Sequence, residues 1–137
     1  MSDAKYIRFI SEILKRTKEK RLEWRYLDTN QALYEGMGWV NKKIEYGFFT
    51  PNKVVVSPDF NDEDSFFARI DNVFVVIYVK QNQPAKLFVV PETYKKVVVL
   101  TPNEYGEYIT QLLNLVQSQF PDGESFIDGI INTDARK

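Results

Sequence analysis

Neither cysteine nor histidine occurs among the 137 residues. Without cysteine there is no disulfide and no thiol chemistry. Without histidine the chain lacks the usual general base near neutral pH and the commonest transition-metal ligand. Ser-His-Asp and Cys-His catalysis are excluded, as are zinc sites built from Cys and His. No apolar run approaches the roughly 20 residues needed to span a bilayer. The opening MSDAKYIRF lacks the apolar core and cleavage site of a signal peptide. A cytoplasmic protein without membrane contact is the expectation. Neither sign of charge dominates, since the formal net charge is −1. No global electrostatic pull toward nucleic acid or anionic lipid follows.

What is present describes one ordinary domain, residues 1–137, with 133–137 expected as a frayed tail. A chain of this length buries roughly two thirds of the surface it exposes when unfolded, enough to support its own core. Its 44% apolar and 27% charged residues are close to the average for soluble globular proteins.

Ser2 is placed to cap a first helix running to about Lys20, with Tyr6, Phe9, Ile10, Ile13, Leu14 and Thr17 at helical spacing. RLEWRYL (21–27) alternates as a half-buried strand with Leu22, Trp24 and Tyr26 on one face. Residues 28–38 read as a loop or short helical turn. KIEYGFFT (43–50) alternates again, placing Ile44, Tyr46 and Phe48 together, and Val54-Val55-Val56 follows a Pro51-Asn52 turn. Residues 66–70 pair with 73–79 across Asp71-Asn72, residues that tolerate the positive φ of a hairpin. Further strands are expected at 87–90 and 97–100. Thr101-Pro102-Asn103-Glu104 opens a helix, with Thr101 at the cap and Glu104 bonding back to it. A last short helix carries Phe126, Ile127, Ile130 and Ile131. The connections are too short for crossover helices, so the fold class is α+β: an N-terminal helix, a mainly antiparallel sheet of five to seven strands, and two C-terminal helices.

VFVVIYV (73–79) poses the sharpest question. Val73, Val75, Ile77 and Val79 point one way, Phe74, Val76 and Tyr78 the other, and both sets are apolar. A sheet with one solvated face alternates apolar and polar instead. Either the chain covers the second face itself, or another molecule does. Internal cover has two forms: the first helix on one face with the last two on the other, or a curled sheet around a single helix. The external form is a partner protein or a homodimer, seated on Phe74, Val76 and Tyr78. The loop holding Tyr34, Met37 and Trp39 is read in two ways: as a plug over one end of the barrel or sheet, or as a second contact surface, because aromatics and methionine favour interface cores.

Lys15, Arg16, Lys18, Lys20, Arg21 and Arg25 form the basic end of the first helix and the strand after it. They are the candidate nucleic-acid surface, set against a solvated helix end favoured by its dipole. The acidic residues between 101 and 135 suit either a basic partner or attraction between the chain's two ends. The loop at Asp59, Asn61, Asp62, Glu63 and Asp64 misses the glycine and glutamate of an EF-hand, so it reads as solvated and no metal site is expected. Gly36-Met37-Gly38 has no third glycine, so neither a dinucleotide loop nor a phosphate loop is present. Lys43, Glu45 and Tyr46 have no spacing that supports catalysis. No enzyme activity and no cofactor are expected.

An opening helix running into Arg21-Leu22-Glu23-Trp24, a hairpin-rich centre and a closing helix with Leu112-Leu113-x-Leu115 resemble small uncharacterised domains of bacteria and their phages. That resemblance implies a compact bacterial cytoplasmic protein and carries over no catalytic residue. The expectation is a non-enzymatic protein-interaction domain: a regulator, an immunity-type inhibitor or an adaptor. Nucleic-acid binding through the first helix is the alternative.

Overall fold

The computed structural model describes residues 3–135. In chain order it contains α1 (Ala4–Lys18), β1 (Trp24–Tyr26), a 3-10 turn (Leu27–Thr29), α2 (Gln31–Gly36), β2 (Val40–Glu45) and β3 (Lys53–Pro58). Then come β4 (Phe66–Ile70), β5 (Val73–Tyr78), β6 (Lys86–Pro91), β7 (Val98–Leu100), α3 (Pro102–Gln117) and α4 (Gly123–Ala135). The class is α+β. A five-stranded antiparallel sheet has the order β1-β4-β5-β6-β7, and β2 and β3 pair only with each other as a separate ribbon.

Several local signals act as their chemistry demands. Asp71 takes φ 54° in the two-residue turn between β4 and β5, and Asn82 takes φ 63° in the turn between β5 and β6. Others differ from expectation. Ser2 lies outside the described residues, and Asp3 caps α1 by accepting the Lys5 N–H at 2.8 Å. The helix stops at Lys18 because Lys20 turns to φ 57°. Pro102 does open α3, but the Thr101 side chain makes no cap bond; backbone bonds to the Thr101 carbonyl hold the first turn instead. Helix α4 continues through 133–135, where a loose tail was expected, and residues 136–137 lie outside the described part.

The sheet is covered on both faces by its own chain; α1 lies on one face as expected, but α3 lies beside it rather than on the other face. On the first face, Trp24, Phe66, Ala68, Val75, Ile77, Leu87 and Leu100 pack against Ile10 and Ile13 of α1 and Tyr105, Ile109, Leu112 and Val116 of α3. Both long helices therefore lie on one side. Their stripes at three- and four-residue spacing each fill one seam of the pleated surface. Buried Thr17 completes this layer: its hydroxyl donates to the Ile13 carbonyl (2.7 Å) and accepts the Trp24 indole N–H (3.0 Å). The Asp3 N–H donates to the Tyr105 hydroxyl at 2.9 Å, tying the start of α1 to α3.

On the second face, Phe67, Val76, Tyr78 and Val90 pack under Leu27, Leu33, Tyr34, Trp39 and Phe60. The cover here is thin, made of the 3-10 turn, α2 and the two chain segments that flank the ribbon. Tyr94 fastens it. Its backbone sits at φ 58°, a left-handed conformation that costs a residue with a Cβ of order 1–2 kcal/mol. From there its hydroxyl donates to the Ala32 carbonyl at 3.2 Å. The ring lies so close to Gly36 that an added Cβ would come within 2.8 Å of its Cζ.

Candidate functional site

The second sheet face is the place to begin, because contact residues were expected there. Val76 is 0% exposed, Tyr78 and Tyr34 are buried, and Trp39 is 7% exposed, while Phe74 and Met37 are half-buried against them. Trp39 stacks on Tyr78 and meets Phe88 edge-on, both at 4.8 Å between ring centroids. The Tyr78 hydroxyl donates to Asp59 at 2.8 Å, and burial, with that carboxylate, pushes the phenol above its ordinary pKa. Val76, Tyr78, Tyr34 and Trp39 therefore spend their apolar surface on one another, supported by Phe74 and Met37. They form a second core, and the docking surface expected on this face is already filled by 27–39 and Phe60.

The uncovered apolar surface lies elsewhere. Residues 43–50 were read as a strand with Ile44, Tyr46 and Phe48 on one face, but β2 ends at Glu45 and Tyr46, Phe48 and Phe49 stand exposed beyond it. In the β2–β3 ribbon, Lys42 faces Val56 and Ile44 faces Val54, so these side chains share one face with Val40 and Pro58. Ile44, Val54 and Val56 are exposed. The opposite face carries Asn41, Lys43, Glu45, Lys53, Val55 and Ser57, with Lys53 and Glu45 paired at 3.7 Å. Tyr46 is 79% exposed beside them. At the tip, Phe48 and Phe49 are 91% and 93% exposed, edge to face with each other at 4.7 Å.

The tip has a built geometry. The Gly47 N–H donates to Asn52 Oδ1 at 3.0 Å, closing the loop. A Cβ at Gly47 would run into the Thr50 carbonyl, its carbon only 2.7 Å away, so only glycine fits there. Both legs of the arm are rooted in the second core. Trp39 precedes β2 and Phe60 closely follows β3, and the Asp59 N–H donates to the Trp39 carbonyl at 3.1 Å across the base.

Helix α4 is the second uncovered element. Phe126, 66% exposed, and Ile127, Ile130 and Ile131 make an apolar stripe that stays exposed among the described residues. Glu124 and Asp128, four residues apart, flank it and are also exposed.

Of the six basic residues, three arginines are paired and Arg25 lies apart from the rest. Arg16 pairs with Glu12 at 3.1 Å, Arg21 with Glu19 at 2.7 Å and Arg25 with Glu23 at 2.8 Å. Arg25 lies opposite Phe67 in the β1–β4 register, on the sheet face turned away from α1. It is thereby separated from Lys15, Lys18 and Lys20. The Arg16 guanidinium in turn holds the Glu12 carboxyl below its usual pKa.

Two acidic side chains of the 59–64 loop, Asp59 and Asp64, are structural, while Asp62 and Glu63 stand exposed. Asp64 accepts from Gln117 Nε2 at 2.7 Å and Asn61 Nδ2 at 3.0 Å, which ties the loop to α3. These bonds form one wall of a cleft of about 680 Å3, whose floor is the packed ring cluster of Tyr26, Phe66 and Phe120. No group of three metal-ligating side chains occurs among the described residues. Lys43, Glu45 and Tyr46 stand on the arm, where Glu45 is already paired with Lys53. Among the described residues no helix is long and apolar enough to cross a membrane.

The signal for the arm was present as GFFT between two strands. Alternation predicts that side chains share a face, and it carries no information about whether another layer covers that face. No protein-family model matches the chain, and comparison with curated proteins and with solved structures returns no match. The likeness to small bacterial and phage domains, drawn from the opening helix, Arg21-Leu22-Glu23-Trp24, the hairpins and Leu112-Leu113-x-Leu115, gains no support from these comparisons.

Proposed function

We propose that this is a non-enzymatic protein-interaction domain that grips another protein through the tip of its β2–β3 arm. The reading is supported above all by Phe48 and Phe49, two aromatic rings packed edge to face and almost wholly in water at the end of an arm anchored by both legs. Fully burying two phenylalanines is worth about 3–6 kcal/mol, energy that the free protein leaves unused. Anchored legs lower the ordering cost of docking, since the arm is already directed before contact. Around the tip stand Lys42, Lys43 and Lys53 against Glu45, a net charge of +2. The chemistry that fits is an apolar pocket with an acidic rim on a partner protein. A regulator, immunity-type inhibitor or adaptor in the cytoplasm of a bacterial or phage system would work this way, by occupying a surface rather than by chemistry.

The test is capture by immobilised full-length chain from a lysate of its source cell, followed by cross-linking. One dominant protein should be retained by the wild type and lost with the double substitution Phe48→Ser, Phe49→Ser. Both substituted side chains are exposed, so the unfolding free energy should stay within about 0.5 kcal/mol of wild type. Equal retention by the two forms overturns the proposal. So does retention of nucleic acid whose binding falls steeply with salt, which would select the basic helix end instead.

A further inference from the structure

We infer that the flat of the β2–β3 ribbon is covered by helix α4 of a second copy of this chain, in a reciprocal two-fold dimer. This rests on the reading of the arm as an interaction element but uses its flat face, leaving the Phe48–Phe49 tip free. A two-stranded ribbon is marginal in water on its own and needs a third strand or a helix against its apolar face. An isolated helix of 13 residues is marginal for the same kind of reason, because most helical stability comes from packing an apolar face. The chain thus holds one uncovered sheet face, Ile44, Val54 and Val56, and one uncovered helix stripe, Phe126, Ile127, Ile130 and Ile131. Helix on sheet is a standard way to close such a layer.

The two are rooted in different layers. Helix α4 follows α3, which packs on the first sheet face, while the arm's legs are set in the second core. Within one chain both remain exposed. Two copies close both faces at once, because each supplies one helix and one ribbon, and a two-fold axis leaves neither over.

Charge agrees with this pairing. The ribbon is net +2, with Lys42 on its apolar face. The helix carries Glu124 and Asp128 beside its apolar stripe and no cation between Gly123 and Ala135. A lysine on one face and an acidic edge on the other set the orientation more than the strength of such a contact. Area agrees as well. Covering the exposed parts of these side chains removes on the order of 700 Å2 per contact and 1,400 Å2 for the pair, within the range of stable interfaces.

The experiment uses full-length chains and light scattering across a concentration series. One variant is altered in the helix, Ile127→Lys with Ile130→Lys; another in the ribbon, Ile44→Glu with Val54→Thr. Wild type should be a dimer and each variant alone a monomer. An equimolar mixture should form a heterodimer, because the ribbon variant's intact helix docks on the helix variant's intact ribbon. Having one contact instead of two, it should dissociate at a concentration roughly tenfold or more above that of the wild type. A monomeric wild type overturns the dimer. A helix variant that still dimerises indicates ribbon-to-ribbon pairing, a ribbon variant that still dimerises indicates helix-to-helix pairing, and either result overturns the exchange. The Phe48→Ser, Phe49→Ser chain should stay dimeric, so loss of partner capture and loss of the dimer are read separately.

Discussion

Replacing Trp39 by alanine distinguishes a second core from a free docking face. The ring is 7% exposed and lies 4.8 Å from both Tyr78 and Phe88. Truncating a buried tryptophan costs about 3–5 kcal/mol, from lost transfer energy and the cavity left behind. Two ring contacts vanish together, which places this site in the upper part of that range, about 4–5 kcal/mol. With a urea slope of about 2 kcal/mol/M for a chain of this size, the unfolding midpoint should fall by about 2–2.5 M. Phe48→Ala is the matched control. It also removes an aromatic ring, but an exposed one, and should move the midpoint by less than about 0.3 M. Far-UV circular dichroism is the appropriate readout, because Trp39 is one of only two tryptophans and its loss alters fluorescence directly. A Trp39→Ala shift under about 0.5 M, or one no larger than that of Phe48→Ala, would refute the second core and return this face to the list of docking surfaces.

Thr17→Val keeps the shape of a buried residue while leaving the Trp24 indole N–H without its acceptor. It should destabilise by about 1–3 kcal/mol, and pairing it with Trp24→Phe should cost less than the two single effects summed, as a double-mutant cycle in chemical denaturation would show. Asp28 has its pKa raised from 3.8, first by burial and then by the neighbouring Asp62 carboxylate. Because the folded state holds that proton more tightly, its favourable contribution is complete below about pH 3.8 and is lost as pH rises through the higher folded value. Asp28→Asn should therefore raise the thermal midpoint at pH 7, with the difference from wild type closing as pH falls below about 4.

The elements were largely legible because periodicity is a property of neighbouring residues. The stripes of α1 and α3, the Asp71 turn and the two-sided character of β5 all follow from spacing that packing later uses. Assignment of layers was not legible. Nothing in the pattern says that α3 lies beside α1, since both stripes would fit either sheet face. The cover of the second face was legible only as one reading of the loop around Tyr34, Met37 and Trp39, a plug over the sheet, because it is not one periodic element. Leu27, Leu33, Trp39 and Phe60 come from a turn, a six-residue helix and two strand flanks, each too short to show a period. The arm was hidden for the opposite reason. Ile44, Tyr46 and Phe48 alternate as well as any buried strand, and only the absence of a neighbouring layer leaves them in water.

The way the arm is planted has a mechanical consequence. Trp39 and Phe60 act as footings, so the ribbon cannot swing without lifting its own foundations from beneath α2. Under the proposed docking, a partner held at the far end would steady the thin layer, and loosening that layer would slacken the hold by the same free energy, since such linkage runs equally both ways. Substitutions hidden beneath α2, far from the two phenylalanines, would then tune how firmly the tip is held.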